Sequence, residues 1–149
     1  MQRDGSRNDA GFAAHLCERW ADGRIKLYVI WKALQLRHKL SGLFTDGGFV
    51  PADVSGERAE NVTAFFRTNK NGAALIIAPK WLAASGMEND HARGDFWSKT
   101  AISLPPHLSG SWQNAFTSEA FPIASNESHG SLNLSAVLGN FPVALLSLH

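Results

Sequence analysis

The stretch DGRIKLYVIWKALQLRHKL, from Asp22 to Leu40, limits the folds open to this chain more than any other. Leu27, Ile30, Trp31 and Leu34 follow the i, i+3, i+4, i+7 spacing of one helix face, and Val29, Ala33, Leu36 and Leu40 supply a second apolar stripe beside it. The spacing predicts one long helix, opened by Asp22 and closed at Ser41 and Gly42. The Asp22 carboxylate can accept from the free amides of the first turn, while Arg37, His38 and Lys39 put positive charge beside the last carbonyls. At about 1.5 Å per residue such a helix is about 28 Å long, enough to cross a small domain. An apolar surface this wide needs more than one partner.

A chain of 149 residues is long enough to bury one core of its own. A formal net charge of +1 provides no field for nucleic acid, and the densest basic cluster, Arg37 to Lys39, has the ordinary role of a helix end. No nucleic-acid partner is expected. Cys17 is the only cysteine, which excludes an intrachain disulfide and a thiolate metal cluster. The N-terminal residues lack the apolar core of a secretory signal, and no apolar run is long enough for a bilayer, so the expected setting is the cytoplasm with no membrane partner.

Residues 1–9 are polar and are expected to be disordered. Phe12, Leu16 and Trp20 recur every fourth residue and predict a short helix before the Asp22-Gly23 break, so residues 10–42 read as a helical segment. From 43 to 149 the period shortens toward two. Strands are predicted at Phe49 to Val54, with Pro51 favouring an edge, and at Asn61 to Thr68. The turn Asn69-Lys70-Asn71-Gly72 leads into Ala73 to Ala78, an apolar run expected to be a central strand covered on both faces. Lys80 to Phe96 reads as a helical turn at Trp81 to Ala84 and then a loop. Further strands are predicted at Lys99 to Leu104, Ser111 to Thr117, Phe121 to Ala124 and Phe141 to Leu148, with turn material from Ala124 to Ser131. The expected fold is mainly β: an antiparallel β-sandwich preceded by one short and one long α-helix.

Little in the chain carries chemistry by itself. The six histidines, His15, His38, His91, His107, His129 and His149, occur singly and never at the i, i+4 spacing of a zinc helix, so no metal and no cofactor are expected. Glu57 with Glu60, and Glu88, Asp90 and Asp95, are loop carboxylates rather than a pair held about 5 to 10 Å apart across a rigid cleft. Of the five tryptophans, Trp20 and Trp31 belong to helix faces, while Trp81, Trp97 and Trp112 lie in or beside loops, where an exposed ring could stack on a sugar.

DGRIKLYVIWKALQLRHKLSGLF, followed by GERAENVTAFFR at Gly56 to Arg67, resembles the C-terminal part of maltooligosyltrehalose synthase, a member of the α-amylase superfamily. ALIIAPKWL (Ala74 to Leu82), SWQNAFTSE (Ser111 to Glu119) and LSAVLGNFPVALL (Leu134 to Leu146) are similar to the same family in the same order. The third departs from the family pattern at Phe116 and Ser118. The resemblance implies an enzyme that turns the reducing-end α-1,4 bond of a maltooligosaccharide into the α,α-1,1 bond of trehalose. The family's catalytic carboxylates lie on a (β/α)8 barrel that precedes the matched region, so no catalytic residue is carried over. The chain is then expected to be a noncatalytic C-terminal domain with the last barrel helix, inactive alone. Its expected partners are the absent barrel, maltooligosaccharides, or a second copy of itself docked through the exposed helix. Arg24 and Lys26, in the GRIK match, and Trp81, Trp97 and Trp112 are the candidate substrate-binding residues.

Overall fold

A computed structural model describes residues 9–85, 94–124 and 129–148. The expectations placed on residues 1–8, on Met87, Glu88, Asp90 and His91, on the centre of the turn near residue 126, and on His149 lie outside the described residues. Asp9 opens the first helix, α1 (Asp9–Glu18). A short 3-10 turn at Trp20–Asp22 and Gly23, held at φ 80°, separate it from α2 (Arg24–Lys39). The N-cap of α2 is Gly23 rather than Asp22, but Asp22, one residue earlier, still serves the first turn, its Oδ1 accepting the Arg24 backbone N–H at 3.0 Å. α2 ends where Ser41 and Gly42 were expected to stop it, at its C-cap Leu40 (φ −112°, ψ 39°), but these two residues then open a further short helix, α3 (Ser41–Asp46).

The stretch Phe49 to Val54 forms two strands rather than one. β1 (Gly48–Pro51) and β2 (Asp53–Gly56) turn at Ala52 and join different sheets. Ala52 still donates its N–H to Ala64 O at 3.0 Å, so the switch happens within one residue. β3 (Val62–Asn69) and β4 (Gly72–Pro79) form the expected hairpin, but the Asn-Gly pair does not occupy its corner. Lys70 and Asn71 do, both without positive φ, and the turn closes through Asn71 N–H to Asn69 Oδ1 at 2.8 Å. The remaining strands are β5 (Thr100–Leu104), β6 (Gly110–Asn114), β7 (Ala120–Ile123), β8 (Gly130–Asn133) and β9 (Ala144–Leu148). A one-turn helix, α4 (Leu134–Val137), capped by Asn133, follows β8, so helices are not confined to the front of the chain.

The fold is an antiparallel sandwich with a helical layer added. One sheet has the order β1-β3-β4-β9-β6-β7 and the other β2-β5-β8. Between the sheets lies the larger core, with Phe66, Leu75, Ile77, Trp112 and Leu146 facing Ile102, Leu104 and Leu132. On the opposite face of the six-stranded sheet, Ile76 and Leu145 meet Phe116, Phe141 and the inner sides of α1 and α2. β4 sits third in the sheet with a core on each side, which is why its sequence is apolar at every position. β9 is likewise covered on both faces, whereas Phe141 to Val143, expected to be part of that strand, bends so that the Phe141 ring enters the helical core.

Leu75 is fully buried between the sheets. Leu75→Ala is expected to lower unfolding stability by about 2–5 kcal/mol, read as a shift of the urea midpoint at unchanged slope.

Candidate functional site

At 3.6 residues per turn, Leu27, Ile30, Trp31 and Leu34 occupy an arc of about 100° on α2. The arc of Ile25, Tyr28, Val29 and Leu36 lies on the other side of the helix. The stripe of Val29, Ala33, Leu36 and Leu40 lies between these two arcs, beside the first as its spacing implies, and the single sheet behind α2 covers Ile25, Tyr28 and most of that stripe but not Leu27, Ile30, Trp31 and Leu34. Ile25 and Tyr28 are buried and Val29, Ala33 and Leu36 pack against the helical core. Leu27 is 69% exposed, and Ile30, Trp31 and Leu34 are each exposed by more than half. Phe12 on α1 and Trp20 in the connecting turn are also about half exposed, which broadens the apolar surface beyond one helix.

The helices are locked to the sheet by a chain of rings and one ionic knot. Phe12 meets Tyr28 edge-on at 5.4 Å; Tyr28 lies 6.0 Å from Phe141, and Phe141 5.3 Å from Phe116. The Tyr28 hydroxyl donates to Phe116 O at 2.6 Å. One carboxylate oxygen of Asp9 accepts from Lys32 Nζ at 2.7 Å and from the Ser118 hydroxyl at 2.8 Å, tying α1, α2 and the β6–β7 turn together. Ser118 holds φ at 62°, a left-handed conformation that turns the chain back toward β7. Burial raises the Asp9 carboxyl, but the Lys32 and Ser118 hydrogen bonds and the Lys32 charge outweigh it, leaving the group below its ordinary value. Burial, reinforced by the Asp9 charge, pushes the Tyr28 hydroxyl up to about 12.

The candidate binding residues do not converge. Trp97, ending a short 3-10 turn at Gly94–Trp97, and Trp112, on the inner face of β6, have no exposed surface, so the expectation that either stacks on a sugar is corrected. Trp112 fills the inter-sheet core with Nε1–H donating to Leu108 O at 3.0 Å, which satisfies its one polar group without solvent. Trp81 alone stands free, 68% exposed at φ 54°, with Lys80 Nζ 4.3 Å from its ring centre; the helical turn expected there is displaced to Ala83–Ser85. Arg24 is engaged by Asp22, with Nε to Oδ2 at 2.8 Å and an ion pair at 2.7 Å, while Lys26 is exposed on α2 one turn before Ile30. Among the described residues no group of three or more His, Cys, Asp or Glu stands close enough to hold a metal ion, and no helix is long and apolar enough to cross a membrane.

Sequence reasoning missed the Asp9–Lys32–Ser118 knot. One signal was present: Lys32 falls within the buried arc of α2, where a lone cation needs a carboxylate.

The fold and the bare helical flank define the class, an antiparallel β-sandwich domain carrying a helical layer with one uncovered face. Among solved structures, the chain is similar to a mutant of maltooligosyltrehalose synthase from Arthrobacter ramosus, with a TM-score of 0.61 and 21% identity over 92% of this chain. It spans 16% of the length of that protein. The likeness is one of fold. No known family profile matches the sequence, and no curated protein does.

Two pH responses follow from the knot. The lowered Asp9 carboxyl contributes stability above the ordinary carboxylate value that is lost as pH falls through its depressed value; Lys32→Met is expected to flatten this acid limb and to lower stability by about 1–3 kcal/mol. Tyr28 is the one tyrosine in the chain, so its ionisation can be read directly by absorbance. Its raised value keeps its contribution whole below about pH 10 and removes it as pH climbs toward 12, and Tyr28→Phe is expected to abolish that alkaline loss.

Proposed function

We propose that this chain is a noncatalytic β domain of a maltooligosyltrehalose synthase-type enzyme, and that the bare flank of α2 braces the (β/α)8 barrel bearing the catalytic carboxylates. The observation that carries this reading is the exposure of Leu27, Ile30, Trp31 and Leu34 on one side of a helix whose other side is fully used. Leaving four large side chains half bare forgoes about 1–2 kcal/mol each, a cost that a docked neighbour removes. The similar solved structure, of which this chain spans 16%, supports a larger body beside the domain. In such an assembly the barrel performs the conversion of the reducing-end α-1,4 bond to the α,α-1,1 bond. Lys26, on the same helix face as Ile30, then stands at the seam, and Arg24 stays paired with Asp22 beside it.

Incubation of the purified chain with maltopentaose is expected to yield no nonreducing product, and measurable turnover would end this reading. Replacing Leu27, Ile30 and Leu34 together by Ser is expected to change stability by no more than about 0.5 kcal/mol per site, because the isolated domain leaves these side chains in water. The same variant should lose most of the binding of a solvatochromic apolar dye. A large loss of stability would mean that the flank belongs to the domain's own core.

Trp81 favours a second reading, a surface site for α-glucans, because its ring is 68% exposed even with Lys80 Nζ over one face. Indole fluorescence should then shift with millimolar maltooligosaccharide, and Trp81→Ala should remove the shift.

A further inference from the structure

The bare flank of α2 has two unlike edges. Tyr28 and Lys32 lie toward α1, where Phe12 stands 5.4 Å from the Tyr28 ring and Asp9 2.7 Å from Lys32 Nζ, so Trp31 borders the flank on the α1 side. At about 100° per residue, Lys26 and Arg37 fall about 160–180° around the helix from Tyr28, next to Ile30, and form the far border. Both are exposed, and they stand about 16 Å apart along one edge. Among the described residues no hydrogen bond or ion pair engages either side chain. Arg24 and Lys32 are already paired, with Asp22 and Asp9, and α2 carries no acidic residue along its whole length.

This pattern restricts what can cover the flank. A cation at the rim of an apolar contact loses hydration when the contact forms, and only a carboxylate opposite it offsets that loss. The α2 helix of a second copy supplies none: with two such helices packed antiparallel about a two-fold axis, Lys26 of one copy faces Arg37 of the other. A bilayer surface fits less well, because an interfacial helix shows cations on both borders of its apolar face, and here α1 closes the second border. We propose that the neighbour covering this flank is a protein surface with an apolar centre for Leu27, Ile30 and Leu34 and with Asp or Glu carboxylates opposite Lys26 and Arg37. The inference rests on the bracing role proposed for α2 and adds the chemistry of the surface that is braced.

Two cross-linkers, applied in the cells that make the protein, read the two halves of the proposal. Ile30→benzoylphenylalanine, activated by light, labels whatever lies against the apolar centre. A water-soluble carbodiimide joins an amine to a carboxylate in ion-pair contact, forming an amide with net loss of water while the carbodiimide leaves as its urea. The exposed Lys99–Glu57 pair, at 2.7 Å, is its internal control. The expected result is an amide from Lys26 Nζ to an Asp or Glu in the same protein segment that residue 30 labels. Lys26→Glu combined with Arg37→Glu is expected to lower that photolabelling about fivefold, and both positions are exposed, so the fold is kept. Labelling of a protein body with no Lys26 amide, while the Lys99–Glu57 product forms, overturns this inference and leaves the bracing role standing, as does labelling that charge reversal does not change. Labels found only on lipid, only on α2 of a second copy, or on nothing overturn both.

Discussion

Every layer of this molecule depends on β4 and β9 being buried on both faces. A strand that presents Leu75 and Ile77 to one side and Ile76 to the other cannot lie at the surface of a two-layer sandwich. It needs a second cover, and α1 and α2 provide one. Once the helices are committed to that task, the Tyr28, Phe141 and Phe116 rings and the Asp9–Lys32–Ser118 contacts hold them there. The helical layer is therefore part of the fold rather than an appendage to it.

The same commitment creates the functional question. A helix has a full circumference, and a sheet can cover about half of it. Polar residues would ordinarily fill the other half, but α2 carries Leu27, Ile30, Trp31 and Leu34 there. A surface of this kind is costly in water, and its position opposite the sheet makes it the outer wall of the domain.

Much of the sandwich was legible because its signals are local. Alternation located β3, the prolines after Leu104 bounded β5, the strand expected over Ser111 to Thr117 is β6 but ends at Asn114, and the unbroken apolar run of β4 marked a strand with two covered faces. What escaped were places where one residue changes the chain's allegiance. Ala52 moves the chain from one sheet to the other, and Leu40 alone separates α2 from α3, yet neither residue has an unusual propensity. The tryptophans illustrate the same limit: Trp81 and Trp112 are equally large and equally near loops, but one is bare and the other is enclosed.

The order of residues alone determined that a wide apolar helix precedes a set of short antiparallel strands, since helical and strand periodicities are written in the spacing of side chains. Tertiary structure decided which stripe of that helix would be covered, because periodicity specifies the angle between two faces but not which one meets the sheet.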